Sequence, residues 1–184
     1  MTTLNYLYGF HTASYAPPNA PSTEITTLPR QPMVRIYCQA NKDLSVTARN
    51  GTVVLAPADS NDYYQHWLKD MSYGDKVKDA NGFPAFALVN RVTGEAFQNP
   101  AGENQEVTLA PYNPNQLEDT MKWTEVSSTG FRIIRIANTT SLNLTAVDSN
   151  FNFSDGAKII VQMKSVNAAV QRWNIVPYNS SVPM

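Results

Sequence analysis

Short apolar runs alternate with polar punctuation along most of this chain, and apolar positions nowhere sustain a 3.6-residue period beyond a few turns. From Met33 onward the runs are rich in β-branched and aromatic residues and are bounded by Gly, Pro, Asn and Asp, the pattern of short strands separated by turns. Three strand-like runs open three similar units: Val34-Arg-Ile-Tyr37, Phe86-Ala-Leu-Val89 and Phe131-Arg-Ile-Ile-Arg-Ile136. A turn and a short second strand follow each, then a further apolar run: Val53-Val-Leu55, Val107-Thr-Leu109 and Ile159-Ile-Val161. The best helical candidate, Ala168-Ala-Val-Gln171, is one turn at most.

Each unit closes on a tryptophan, in Gln65-His-Trp67, Met121-Lys-Trp123 and Gln171-Arg-Trp173, and these are the 3 tryptophans of the chain. Spacings of roughly fifty residues match a four-strand supersecondary unit used three times. One such unit cannot bury its apolar face alone. Closing three around a shared axis buries all the faces and removes exposed sheet edges. The pattern therefore predicts an all-β fold, a β-trefoil of three repeats over residues 33–178. Residues 1–32 precede it as a Pro/Tyr-rich N-terminal extension that composition predicts to be flexible, and 179–184 form a short tail.

Composition narrows the function. The chain has 184 residues, 16% charged, with a formal net charge of -1. That balance gives no general attraction to nucleic acid or to an anionic membrane, and no partner of either kind is expected. The single cysteine, Cys38, excludes an internal disulfide. The first residues make a poor export signal, so a cytoplasmic or nucleocytoplasmic location is expected. Catalysis is not expected. His11 lies in the extension, His66 sits beside Trp67 and should point away from the core, and Cys38 has no base placed beside it. No metal-ligand spacing occurs, and neither metal nor cofactor is expected.

The Gln-x-Trp endings resemble the ricin-B type of trefoil. The wording is closer still to the Euonymus-lectin family of plants, through Val54-Leu-Ala-Pro-Ala-Asp59, Gly82-Phe-Pro-Ala-Phe-Ala-Leu-Val-Asn90, Pro111-Tyr-Asn-Pro114 and Gln171-Arg-Trp-Asn-Ile-Val-Pro-Tyr178. The resemblance spans Met33 to Tyr178. It implies a β-trefoil that binds glycans, commonly containing mannose or galactose, without metal or catalysis, in a nucleocytoplasmic and often stress-related setting.

A trefoil sugar pocket needs an amide or carboxylate for hydroxyls, an aromatic face for the ring, and an Asn/Gln pair near Gln-x-Trp. The resemblance places the best such pocket in the third repeat, with Leu-Asn-Phe-Asp, Trp-Glu-Trp, and Asn-Gln before Arg-Trp. This chain departs at each point. Thr145 replaces the Asp, Gln162-Met-Lys164 replaces the two tryptophans and their Glu, and Val170 replaces the Asn. Asn143 and Gln171 remain. The site is thus expected to be weak or retuned, drawing on Asn143, Thr145, Asp148, Gln162, Lys164, Asn167 and Gln171, with Lys164 favouring an acidic sugar or a phosphate. Gln98, Tyr112, Asn113 and Asp119 form a possible second site, with Tyr112 as platform, and the first repeat offers Asp59, Asn61, Asp62, Tyr63 and Tyr64. The alternative is a trefoil that has lost sugar binding and contacts a protein partner.

Overall fold

A computed structural model of the protein describes residues 32–149 and 152–178. The expectations for residues 1–31 and for 179–184 fall outside the described residues. Among the described residues twelve strands run in chain order: β1 (Val34–Cys38), β2 (Leu44–Arg49), β3 (Thr52–Pro57), β4 (Trp67–Asp70), β5 (Ala87–Asn90) and β6 (Glu95–Gln98), then β7 (Thr108–Pro111), β8 (Trp123–Ser128), β9 (Phe131–Ile136), β10 (Thr139–Val147), β11 (Ala157–Gln162) and β12 (Trp173–Pro177). One 3-10 turn precedes each tryptophan strand, at Tyr63–Gln65, Asp119–Met121 and Ala168–Gln171.

Six strands close a ring. β1 pairs with β12 and β4, β4 with β5, β8 with β9, and β9 with β12. A Phe86–Trp123 bridge closes the gap between β5 and β8. The remaining strands make hairpins β2–β3, β6–β7 and β10–β11. These meet where β3 pairs with β7 and β11, and where Glu106 bridges to Ile160. A six-strand barrel capped by three hairpins is the β-trefoil that the repeats predict.

The tryptophans fill the barrel. Trp67, Trp123 and Trp173 are all 0% exposed. Burying an indole removes roughly 150–250 Å² from water, roughly 4–6 kcal/mol each. A buried N–H needs an acceptor, and each repeat supplies one from its own second strand. The indoles donate to Val46 O at 2.9 Å, Phe97 O at 3.1 Å and Leu144 O at 2.8 Å. Threefold convergence also shows two residues further along, where Lys69, Glu125 and Ile175 line one depression and Lys69 Nζ lies 2.6 Å from Glu125 Oε1.

Turn chemistry sets the hairpins. Asn50 and Gly51 join β2 to β3 with φ of 51° and 74°, the paired left-handed residues of a two-residue hairpin. Thr129 and Gly130 join β8 to β9 with φ of 48° and 81°, which forces a β-branched residue into the same region.

His66 lies outside the barrel core but is buried rather than facing water. Its ring stacks on Tyr178 at 3.9 Å, and Nε2 lies 2.9 Å from Ser60 O. The chain that follows β12 supplies this cover, which strand alternation cannot foresee. Cys38 is 0% exposed, its Sγ donates to Ala169 O, and burial pushes the thiol up to about 11.

Candidate functional site

A cleft of about 820 Å³ lies in the third repeat. The β8–β9 hairpin forms one wall, through Val126, Ser128 and Arg135. Thr140, Ser141 and Asn143 of β10 line it as well. The loop after β11 and the following 3-10 turn contribute Met163, Lys164, Ser165, Ala168, Gln171 and Arg172.

Gln171 organises this region. It is 2% exposed, and its amide reaches four protein partners. Nε2 donates to Thr145 Oγ1 and to Met163 O, both at 2.9 Å. Oε1 accepts from Ser165 N at 2.9 Å and from Asn143 Nδ2 at 3.4 Å. A carboxamide offers two donors and two acceptor lone pairs, so this one is saturated by the protein. The first repeat repeats the device: Gln65 Nε2 donates to Pro57 O at 2.9 Å and Oε1 accepts from Asp59 N at 3.0 Å. The second repeat has Met121 at that position, buried in a satellite cluster. Gln171 therefore clamps the loop and orients Asn143.

The other expected residues divide. Asn143, Lys164 and Gln171 border the cleft. Thr145 is 1% exposed, and its hydroxyl is spent between Asn143 O and Gln171, so it supports the site from beneath. Gln162 is not among the residues lining the cleft, and its Nε2 donates to Asn104 Oδ1 at 2.8 Å. Asn167 caps the 3-10 turn by accepting from Ala169 N. Asp148 sits in a separate depression, where its carboxylate accepts from Ser154 N at 3.1 Å.

Tyr112 does not form an open platform. It is 4% exposed and packs with Leu68, Ala87 and Val89. Its hydroxyl donates to Asp70 Oδ2 at 2.5 Å, and burial pushes its pKa upward, with Asp70 adding to the shift. The other second-repeat candidates have local work. Gln98 accepts from Thr108 Oγ1, Asn113 caps Asn115, and Asp119 pairs with Lys122, which holds its carboxyl below the usual range. In the first repeat, Asp59 and Asp62 cap the turn through Asn61 N and Tyr64 N. Tyr63 and Tyr64 are exposed, and the Arg91 guanidinium lies over the Tyr63 ring.

Sequence reasoning named Lys164 but missed the two arginines of the cleft, Arg135 and Arg172. Arg172 is the middle residue of Gln-Arg-Trp. With buried neighbours on both sides, alternation turns it toward the surface, a signal that could have found it. Arg135 reaches the cleft from β9. Its Nη2 lies 2.7 Å from Asp79 Oδ2, and this carboxylate also accepts from Thr124 Oγ1. Among the described residues, no group of three or more His, Cys, Asp or Glu could hold a metal ion.

No protein-family model matches the chain. The ricin B-like lectin R40G3 of Oryza sativa subsp. japonica is 45% identical over 157 residues, covering 83% of this chain and 76% of that one. The ricin B-like lectin EULS3 of Arabidopsis thaliana is 41% identical over 152 residues, covering 79% of this chain and 47% of that protein. Among solved structures, the designed 3-fold symmetric protein ThreeFoil superposes with a TM-score of 0.61 at 18% identity, covering 79% of this chain and 99% of that one.

Proposed function

This chain belongs to the ricin B-like lectin family, and from that premise we propose that it is a non-catalytic glycan-binding protein of the Euonymus-lectin type whose working site is the third-repeat cleft. The observation that carries the reading is Asn143. Its carboxamide borders a cleft of about 820 Å³ and is held there by Gln171. An amide fixed in this way meets sugar hydroxyls with both a donor and an acceptor.

The site is retuned and weak toward single neutral sugars. Simple lectin sites bind monosaccharides at about millimolar strength, roughly -4 kcal/mol. A stacked aromatic hiding about 100 Å² contributes about 2.5 kcal/mol of that. Here Lys164 and Gln162 stand in place of aromatics, and the apolar face falls to Met163, 56% exposed at the rim. A carboxylate acceptor, worth about 1.5–3 kcal/mol, is also missing at Thr145. Useful affinity then comes from extended glycans or from multivalent display. Mannose- and galactose-containing glycans are the first candidates, encountered in the cytoplasm or nucleus.

A glycan array probed with the labelled protein and its Asn143→Ala variant tests this. Binding to extended glycans that fails in Asn143→Ala supports the reading. Binding that persists in the variant places the site elsewhere. Complete silence favours the second reading, a trefoil that has lost sugar binding and contacts a protein. The saturated amide of Gln171, which keeps nothing for a ligand, is what speaks for that alternative.

A further inference from the structure

Among the described residues the cleft is lined by three cations, Arg135, Lys164 and Arg172, and by no carboxylate. In a chain of net charge -1 this local excess departs from the background. Arg135 is neutralised by Asp79. The other two are not. Among the described residues the Lys164 ammonium has neither hydrogen-bond nor ion-pair partner, and Arg172 has no carboxylate partner. One carboxylate touches the rim loop: Glu103 Oε1 accepts from Met163 N at 3.1 Å. It offsets one of the two free charges and leaves the cleft positive.

Arg172 is positioned as well as charged. Nε donates to Ser128 Oγ at 3.4 Å and Nη1 to Gln39 Oε1 at 3.5 Å. These long bonds steer the guanidinium between β1 and the β8–β9 hairpin while leaving three of its five N–H donors unspent. A fork of that kind matches two oxygens of one anionic group, and Lys164 adds an exposed point charge to the same cleft. Resting on the lectin reading above, we infer that the third-repeat cleft selects glycans bearing an anionic substituent, a carboxylate or a sulfate ester, with Arg172 and Lys164 reading the anion and Asn143 the neighbouring hydroxyls.

The test uses three ligands with one ring. Methyl galactoside, its 6-O-sulfate and the corresponding methyl galacturonide differ only at C6, and a mannose set is run in parallel. Calorimetric titration of the full chain should give at least one anionic form binding about tenfold or more tighter than its neutral parent, the factor that one hydrogen bond to a charged group supplies. The tighter of the two anionic arms identifies the source. That preference should fall toward unity in Arg172→Gln and in Lys164→Gln. It should also shrink from 0.1 M to 1 M salt, as the screening length drops from about 10 Å to about 3 Å. Lys164 is exposed, so its variant reports even if Arg172→Gln folds poorly. Equal binding of neutral and anionic forms overturns the selectivity but leaves the lectin reading standing. Inorganic sulfate binding as tightly as the sulfated sugar overturns it as an adventitious ion site. No binding of any form overturns it too, and the array then decides the lectin reading separately.

Discussion

Replacing Gln171 with Met asks whether the third-repeat Gln is a structural clamp. The side chains are similar in size, and the second repeat already carries Met121 at this place. The variant strands Met163 O and Ser165 N, which now bond the amide at 2.9 Å each. Thr145 keeps Asn143 O as a partner. A buried group left unpaired costs about 1–3 kcal/mol. The loop is partly open to water, so the lower end applies to each, giving a loss of about 2–3 kcal/mol. For a domain of about 150 residues this is roughly 6–10 °C in Tm. Urea denaturation gives the energy, and amide exchange at Ser165 gives the site, where protection should fall in step. Gln65→Met should behave alike, because Gln65 bonds Pro57 O and Asp59 N in the same way. A loss under about 0.5 kcal/mol with Ser165 protection unchanged would refute the clamp, and the positioning of Asn143 with it.

Three further outcomes are expected. Cys38, 0% exposed and with its thiol pushed up to about 11, should resist iodoacetamide at pH 8 until the protein unfolds; brisk alkylation of the native state would contradict its burial. Burial alone would raise the Asp79 pKa, but bonds from Thr124, Arg135 and the Phe83 and Asn81 amides outweigh it and hold the carboxyl below its usual range. A folded pKa below the unfolded value contributes stability that is present above about pH 4 and lost as pH falls through the folded pKa. The Tm gap between the native chain and Asp79→Asn should therefore narrow below pH 4 and stay constant above it. Thr129→Asn should stabilise the β8–β9 hairpin by about 0.5–1 kcal/mol in thermal unfolding, since Asn tolerates the left-handed φ of 48° better than a β-branched residue, and a loss of stability would argue against that backbone.

The threefold design is legible in the sequence because it is written in local terms. A tryptophan ends each unit, strand-forming runs recur at fixed offsets, and Ala168–Gln171 reads as a single turn and is one. The candidate site is less legible because its parts depend on distant partners. Tyr112, beside a Pro/Asn turn, reads as an exposed ring, yet Asp70, 42 residues away, accepts its hydroxyl and draws it inside. Gln162 reads as a free amide, yet Asn104 from the second repeat takes it. The cations of the cleft come from one strand, one loop and the end of one 3-10 turn, and only the tertiary fold brings Arg135, Lys164 and Arg172 to one cleft.

Backbone amide mapping tests the placement of the site most directly. Titrating the isotope-labelled protein with a glycan that it captures on the array should shift Asn143, Met163, Ser165 and Arg172 together, and leave Tyr63, Tyr64 and Asn113 in place. Shifts gathered around the first- or second-repeat loops, with the β10 and post-β11 amides unmoved, would contradict it.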